Sequence, residues 1–175
     1  VKGGDHVAGI GSTMEDSVSS MAEITELTVQ NAYITGNGYT AGVVSPNTWW
    51  LNMRKCMLDN SYVTGAKDRT GGIASYAANV TTSLVRNSTI SGTSYVGGIL
   101  GSRGGSATGC AVEKSTIEGS GDYIGGIIGG STDYSFNPYN DAVIGCTIAG
   151  TGSSSKGVGG IIGCTDGNSS YYGSR

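Results

Sequence analysis

Three stretches of the chain decide its fold: Tyr95-Val96-Gly97-Gly98-Ile99-Leu100-Gly101, Tyr123-Ile124-Gly125-Gly126-Ile127-Ile128-Gly129 and Gly157-Val158-Gly159-Gly160-Ile161-Ile162-Gly163. Each stretch has a β-branched residue before a Gly-Gly pair, then two apolar residues and a third glycine. Three less regular copies precede them, at 6–10, 39–44 and 69–74. The second small residue of the unit is a glycine at positions 9, 42, 72, 98, 126 and 160, so the period averages about 30 residues. A regular period of this size indicates a repeat architecture.

A second unit alternates with the first and ends on a glycine. Its five copies span 29–36, 58–65, 85–92, 112–119 and 143–150. In every copy the residue seven before the glycine is apolar, the residue four before it is small, and the residue two before it is Ile or Val. Five copies in phase with the first unit make the repeat a strong signal.

The residue types select the kind of repeat. The chain has 14 Ile and 13 Val against 5 Leu, which favours strands over helices and excludes leucine-rich repeats. A coil of about 30 residues suits three short strands joined by bends, and such coils stack about 4.8 Å apart. The sequence therefore predicts an all-β fold, a right-handed parallel β-helix (β-solenoid) of five to six coils. We expect 1–175 to be one such repeat domain, cut from a larger protein.

The interior and the corners can also be predicted from the repeats. We expect two interior apolar stripes, formed by Ile34, Val63, Ile90, Ile117 and Ile148 and by Ile10, Val43, Ile73, Ile99, Ile127 and Ile161. Asparagine tolerates left-handed backbone, so Asn31, Asn60 and Asn87 are expected at corners. Phased glycines are expected at corners and coil contacts: Gly42, Gly72, Gly98, Gly126, Gly160, Gly36, Gly65, Gly92, Gly119 and Gly150. The segment 14–26 is expected to form a short acidic helix.

Charge and composition exclude several classes of function. The net charge is −3 and only 13% of residues are charged, so no basic patch for nucleic acid is expected. No apolar run approaches the roughly 20 residues of a membrane span, so membrane insertion is not expected. The single histidine, His6, argues against histidine-rich zinc sites. We expect no cofactor and no metal.

The glycine-bounded stretches at 98–101, 126–129 and 160–163 resemble the GLUG motif. That repeat occurs in large bacterial surface proteins, including adhesin-like proteins and IgA-specific metallopeptidases. The resemblance covers nearly the whole chain as repeats, although Gly11, Ser45 and Ser75 follow the apolar position imperfectly in the first three copies. It implies a β-helical architecture and a cell-surface setting, and it carries no catalytic residues.

Insertions between the two units are where ligand-binding side chains are expected. The candidates are aromatic residues suited to stacking on a sugar or peptide: Trp49, Trp50, Tyr134, Phe136 and Tyr139. Tyr39, Tyr95 and Tyr123 share one repeat position, and Tyr33 and Tyr62 share another, which predicts stacking between coils.

Asp59, Arg86 and Glu113 also share a position in the repeat. They form either paired carboxylates for acid–base catalysis or, more simply, an ion-pair ladder on a solvated face. The four cysteines contain no C-x-x-C pair and are expected to be free thiols, with a Cys146–Cys164 bridge left open.

The sequence therefore predicts a non-catalytic, extracellular repeat module from a bacterial surface or secreted protein. It would be adhesive or act as a spacer, presenting loops to a host glycan or protein beside flanking domains of the same polypeptide. The alternative is a substrate-engaging region of an IgA-type metallopeptidase, and a β-helix polysaccharide lyase or hydrolase comes third.

Overall fold

The structure is a computed structural model that describes residues 1–12, 22–46, 51–76, 79–102, 106–130, 138–153 and 155–164. The regular structure in these ranges is entirely β, in strands of two to four residues. Each strand pairs in parallel with its counterpart one coil further along the chain, for example Ile34 with Val63 and Ile90 with Ile117. The chain is a β-solenoid, as the sequence predicts.

Five parallel sheets run along the solenoid, and we number them in the order in which a coil visits them. Sheet 1 contains β2 (Ala22–Thr25), β6 (Leu51–Arg54), β10 (Asn79–Thr81) and β15 (Ser106–Thr108). Sheet 2 contains β3 (Thr28–Gln30), β7 (Met57–Asp59), β11 (Leu84–Arg86), β16 (Ala111–Glu113) and β20 (Ala142–Ile144). Sheet 3 contains β4 (Tyr33–Gly36), β8 (Tyr62–Gly65), β12 (Thr89–Gly92), β17 (Thr116–Gly119) and β21 (Thr147–Gly150).

The other two sheets complete the coil. Sheet 4 contains β1 (His6–Ala8), β5 (Tyr39–Ala41), β9 (Thr70–Gly71), β13 (Val96–Gly97), β18 (Ile124–Gly125) and β22 (Val158–Gly159). Sheet 5 contains β14 (Leu100–Ser102), β19 (Ile128–Gly130) and β23 (Ile162–Cys164). The second repeat unit forms sheets 2 and 3, and the Gly-Gly unit forms sheets 4 and 5.

Two details of the coil differ from the prediction. Sheets 2 and 3 have five strands and sheet 4 has six, so the solenoid makes between four and five complete turns rather than five to six. A coil has up to five short strands rather than three, because left-handed residues turn the chain after only a few residues. Part of the predicted helix at 14–26 is also wrong, since Ala22–Thr25 is strand β2; residues 13–21 lie outside the described ranges.

The core is a set of apolar ladders inside the coils. The predicted stripes are buried at Ile34, Val63, Ile90 and Ile117 and at Val43, Ile73, Ile99 and Ile127. Ile148 and Ile161, in the last coil, are partly buried. Ile10 is 51% exposed, contrary to the prediction, since it belongs to the first coil, which within the described ranges has a neighbouring coil on one side only.

Left-handed backbone marks the corners, in columns that follow the solenoid axis. The predicted corners are confirmed, with φ of 53° at Asn31, 46° at Asn60 and 51° at Asn87. Lys114 and Gly145 continue this column between sheets 2 and 3. A second column, between sheets 1 and 2, comprises Glu26, Lys55, Thr82, Gly109 and Asn140. A third, just before sheet 4, comprises Arg69, Tyr95, Tyr123 and Gly157.

The phased glycines serve close packing, and those of the Gly-Gly unit also lie at the bend that follows sheet 4, as predicted. They do not have left-handed backbone: among the described glycines, positive φ occurs at Gly109, Gly145 and Gly157, none of which is one of the predicted phased glycines. A Cβ on Gly98 would lie 2.2 Å from the Gly126 carbonyl oxygen of the next coil and 2.8 Å from Val112 Cγ2. Glycine is therefore required where the backbones of successive coils approach each other.

Small polar side chains connect the coils beside the Asn31 corner column. Ser88 is 4% exposed, and its hydroxyl donates to the Arg86 carbonyl at 2.7 Å. The Ser88 hydroxyl oxygen also accepts a hydrogen bond from the Ser61 amide of the preceding coil, at 3.1 Å. Ser61 and Ser115 repeat this arrangement. The small residue of the second unit thus satisfies buried backbone groups where the strands are interrupted.

Candidate functional site

Polar side chains cover the outer face of sheet 1. The strand register places Glu23, Asn52, Asn79 and Ser106 in one row along the solenoid axis. A second row, two residues further along each strand, contains Thr25, Arg54, Thr81 and Thr108. The rows line a shallow groove of about 360 Å³, which we call the polar face and define by Glu23, Asn52, Arg54, Asn79, Thr81 and Ser106.

Hydrogen bonds between successive coils fix the first row of the polar face. Asn79 Nδ2 donates to Asn52 Oδ1 at 2.9 Å, and the Ser106 hydroxyl donates to Asn79 Oδ1 at 2.7 Å. These groups are only partly buried. A side chain held in place on a partly open surface loses little conformational freedom when it binds a ligand.

The charges of the polar face cancel. Arg54 Nη2 lies 3.5 Å from Glu23 Oε1, and both side chains are more than half exposed. An exposed pair of this kind contributes little to folding stability. The face therefore combines amides, hydroxyls and one neutralised ion pair, which suits an uncharged polar ligand.

Tyr139 extends the polar face by one coil. It forms a parallel bridge with Thr108, so it continues the row of Arg54, Thr81 and Thr108. Backbone hydrogen bonds from Tyr139 N to Ala107 O and from Gly109 N to Tyr139 O hold it there. Tyr139 is 54% exposed, so an aromatic ring is presented at the end of a row of polar groups.

The other predicted ligand-binding residues lie outside the described ranges: Trp49, Trp50, Tyr134 and Phe136. In the sequence Trp49 and Trp50 come directly before β6 of sheet 1, and Tyr134 and Phe136 precede Tyr139. Tyr139, the one of the five that the structure describes, lies beside the last strand of sheet 1.

A second groove lies where the chain enters sheet 4. We call it the Arg69 groove; it has a volume of about 340 Å³ and is lined by Asp5, His6, Gly38, Tyr39, Lys67, Asp68 and Arg69. The register aligns His6, Tyr39 and Arg69 in successive coils, in the column that continues with Tyr95 and Tyr123.

Aromatic rings of neighbouring coils are in contact, and the predicted stacking is confirmed for Tyr33 and Tyr62, while Tyr95 and Tyr123 are tilted. In the column of the Arg69 groove, the His6 and Tyr39 rings are 4.7 Å apart at 9°, and Tyr95 and Tyr123 are 5.0 Å apart at 53°. On sheet 3, the exposed rings of Tyr33 and Tyr62 are 5.0 Å apart and tilted by only 4°.

Arg69 is held between two aromatic rings. Its guanidinium carbon lies 4.8 Å from the centre of the Tyr39 ring and 5.8 Å from that of Tyr76. Its Nη1 donates to the Tyr39 hydroxyl, and its buried Nε has no hydrogen-bond partner among the described residues. Cation–π attraction of this kind stabilises the charged group by about 0.5–2 kcal/mol and fixes its orientation.

Asp59, Arg86 and Glu113 lie side by side in the register of sheet 2. Asp59 Oδ2 is 3.0 Å from Arg86 Nη2. Hydrogen bonds from Arg86 and Asn87 lower the pKa of Asp59. The structure therefore contains the Asp59–Arg86 ion pair of the predicted ladder, while within the described ranges no ion pair joins Arg86 to Glu113.

The described residues form no disulfide, so the Cys146–Cys164 bridge that the sequence left open is absent. Cys56 and Cys110 are buried, and burial raises the pKa of Cys110 to about 12. Asp141 lies next to Cys110 in the same column and is 1% exposed; its Oδ1 accepts the Cys110 amide at 2.7 Å. Burial raises the pKa of Asp141 to about 6.

The sequence predictions missed most of the residues that line the two grooves. The signal for the polar face was the spacing of 27 residues that separates Asn52, Asn79 and Ser106. The signal for Arg69 was a cation at a repeat position where Tyr39, Tyr95 and Tyr123 are aromatic.

The described ranges contain no helix long and apolar enough to cross a membrane. Within the same part of the chain, no three or more His, Cys, Asp or Glu side chains form a group that could hold a metal ion. Comparison with protein-family models, curated proteins and solved structures found no match to this chain.

Proposed function

We propose that this chain is a non-catalytic repeat module of an extracellular bacterial surface protein, and that its polar face binds a host glycan. The observation that carries the proposal is the continuity of that face. Two rows of hydrogen-bonding side chains run across four coils and end at the exposed ring of Tyr139. Flanking domains of the same polypeptide would be its other partners.

The chemistry of the polar face favours a glycan as the ligand. Sugar hydroxyls donate and accept hydrogen bonds, as do the amides and hydroxyls of Asn79, Thr81 and Ser106. An aromatic ring at the end of such a row packs against the apolar face of a sugar, and Tyr139 supplies one. The balanced charge of Glu23 and Arg54 favours a neutral ligand.

The spacing of the rows favours an extended ligand. Neighbouring strands of a sheet are about 4.8 Å apart, so the polar face offers a similar set of groups at each coil. A sugar polymer that lies along the solenoid axis would meet this set repeatedly. Several weak contacts then act together, which raises avidity without a deep pocket.

Binding to a glycan array tests the proposal. We expect the unsubstituted chain to bind neutral glycans. The variants Asn79→Ala and Tyr139→Ala should each lose at least about ten-fold in glycan affinity, since each removes a hydrogen-bonding or stacking contact. Trp50→Ala tests the predicted tryptophan in the same assay. Because the side chains of Asn79 and Tyr139 lie on the outer face of the solenoid, the Asn79→Ala and Tyr139→Ala variants are expected to remain folded.

Tyr62→Ala is the matched control. Tyr62 is 49% exposed, close to the 54% of Tyr139, but it belongs to sheet 3. Its removal is expected to leave glycan binding unchanged. Glycan binding that survives Asn79→Ala and Tyr139→Ala, or that is lost equally in Tyr62→Ala, would exclude the polar face as the site. A parent protein that binds no glycan would exclude the proposed function.

A further inference from the structure

The Arg69 groove contains charges that the fold does not pair. Within the described ranges, the three ion pairs involve Glu23 with Arg54, Glu26 with Lys55, and Asp59 with Arg86. The groove is lined by Lys67 and Arg69 and by Asp5 and Asp68, and none of these four takes part in an ion pair there. Two cations and two carboxylates thus line one groove without forming an ion pair with each other.

The arginine is not needed to complete the column in which it lies. Tyr39, Tyr95 and Tyr123 fill the same position in other coils, so a tyrosine satisfies the packing. Arg69 adds a positive charge, and its buried Nε costs desolvation energy because no acceptor satisfies it. The two rings of Tyr39 and Tyr76 instead hold the guanidinium plane in one orientation.

A fixed guanidinium in an open groove suits a carboxylate. Arginine presents N–H groups in a planar fork that matches the two oxygens of a carboxylate, and fixing the fork beforehand reduces the entropy lost on binding. Lys67 is exposed in the adjacent connection and provides a second cation.

The two carboxylates of the groove indicate the rest of the ligand. Asp5 and Asp68 accept hydrogen bonds, so they would repel a simple anion but would bind the hydroxyl groups of a polyol. A groove of about 340 Å³ is at the small end of the range for small-molecule sites. It is large enough for one small ring rather than for a protein loop.

We propose that the Arg69 groove binds a hydroxylated carboxylate, the chemistry of an acidic sugar. Arg69 and Lys67 bind the carboxylate, and Asp5 and Asp68 accept hydrogen bonds from the hydroxyls. The ring of His6, stacked on Tyr39, forms one wall of the groove. The site is on a different sheet from the polar face, and the inference does not rest on the glycan proposed for that face.

Titration followed by amide NMR shifts tests the site with three matched probes. Glucuronate has both the carboxylate and the hydroxyls, glucose lacks the carboxylate, and acetate lacks the hydroxyls. We expect glucuronate to cause saturable shifts at the amides of Gly38, Lys67 and Asp68. Glucose and acetate should bind at least about ten-fold more weakly, since each loses one set of charge-assisted hydrogen bonds.

Variants separate a binding role of Arg69 from a structural one. Arg69→Gln should reduce glucuronate affinity at least about ten-fold, and Arg69→Lys should give an intermediate loss because lysine keeps the charge without the fork. Lys114→Gln is the matched control, since Lys114 is also a cation on a left-handed corner, with φ of 47° against 67° for Arg69. It should bind glucuronate like the parent.

The outcomes that overturn the inference are specific. No saturable shift with glucuronate, equal binding of glucose, or parent-like affinity in Arg69→Gln would each do so. If the spectrum of Arg69→Gln shows an unfolded chain, Lys67→Gln on the exposed connection replaces it and should weaken binding several-fold. Loss of glycan-array binding in Asn79→Ala has no bearing on this result, so failure of either site is recognised separately.

Discussion

At the scale of single residues, Asp141 occupies a position that Cys56, Ser83 and Cys110 fill in preceding coils. At this position the side chain accepts a hydrogen bond from the backbone amide of the corresponding residue one coil earlier. Ser83 accepts from Cys56 N at 3.1 Å, and Asp141 accepts from Cys110 N at 2.7 Å. A carboxylate makes this hydrogen bond, but burial disfavours its charged form. The local packing thus tolerates a group whose ionisation opposes folding.

We predict that Asp141→Asn removes a pH-dependent loss of stability. Burial raises the pKa of Asp141 from 3.8 to about 6 on folding, so the folded state holds the proton more tightly. The stabilisation of the folded state by protonated Asp141 is complete below about pH 4 and is lost as the pH rises through 6. Relative to the parent, the variant should therefore gain about 1–2 kcal/mol of unfolding free energy between pH 4 and pH 7. Urea unfolding at each pH measures this difference.

Asp59→Asn provides a control of opposite sign. Hydrogen bonds from Arg86 and Asn87 lower the pKa of Asp59, so its stabilisation is present above the ordinary carboxyl pKa and is lost as the pH falls. This variant should be less stable than the parent at pH 7, with a gap that narrows towards pH 3. A difference between Asp141→Asn and the parent that stays constant from pH 4 to pH 7 would contradict the assignment.

At the scale of the strand and its neighbours, glycine sets how closely two coils pack. We predict that Gly98→Ala costs about 3 kcal/mol or more of unfolding free energy, because its Cβ would lie 2.2 Å from the Gly126 carbonyl oxygen of the next coil. Gly160 is the same position in the last coil, where a Cβ would have no atom of the described residues within 4 Å. Gly160→Ala should therefore change the unfolding free energy by less than about 0.5 kcal/mol. Equal effects of the two substitutions in denaturant unfolding would show that coil contact is not what requires glycine.

The strands also show which parts of the structure sequence patterns could predict. Sheets 2 to 5 coincide with the two repeat units, because each unit combines phased glycines with a buried β-branched residue such as Ile90 or Ile99. The sequence patterns did not predict sheet 1. Its strands β10 and β15 each bury a single side chain, Val80 or Ala107, and one apolar residue in a strand forms no periodic pattern. The polar face lies on that sheet, so most of its residues were missed with it. Arg69 belonged to a recognised repeat, but its contact with Tyr76 depends on the path of the chain.

At the scale of the whole molecule, stability should vary along the axis because each coil contacts only its neighbours. Val85 and Ile90, in the third strands of sheets 2 and 3, are fully buried between coils on both sides. In the first strands of the same sheets Val29 and Ile34 are also buried, at 8% and 1% exposure. In the last strands, β20 and β21, the counterparts of Val85 and Ile90 are Val143 and Ile148, and both are only partly buried.

We therefore predict a gradient of amide hydrogen exchange that is not symmetric about the middle. Exchange should be slowest in 84–92, intermediate in 28–36 and at least about ten-fold faster in 142–150, since local opening of the last coil exposes little additional apolar surface. Mass spectrometry of peptic peptides resolves these three segments, which have closely similar lengths and strand content. Gly98→Ala should accelerate exchange most in the coils on either side of position 98 and least in 28–36, because its effect passes through successive coil contacts. Equal protection in all three segments, or equal acceleration by the substitution, would mean that the solenoid unfolds as one cooperative unit and not coil by coil.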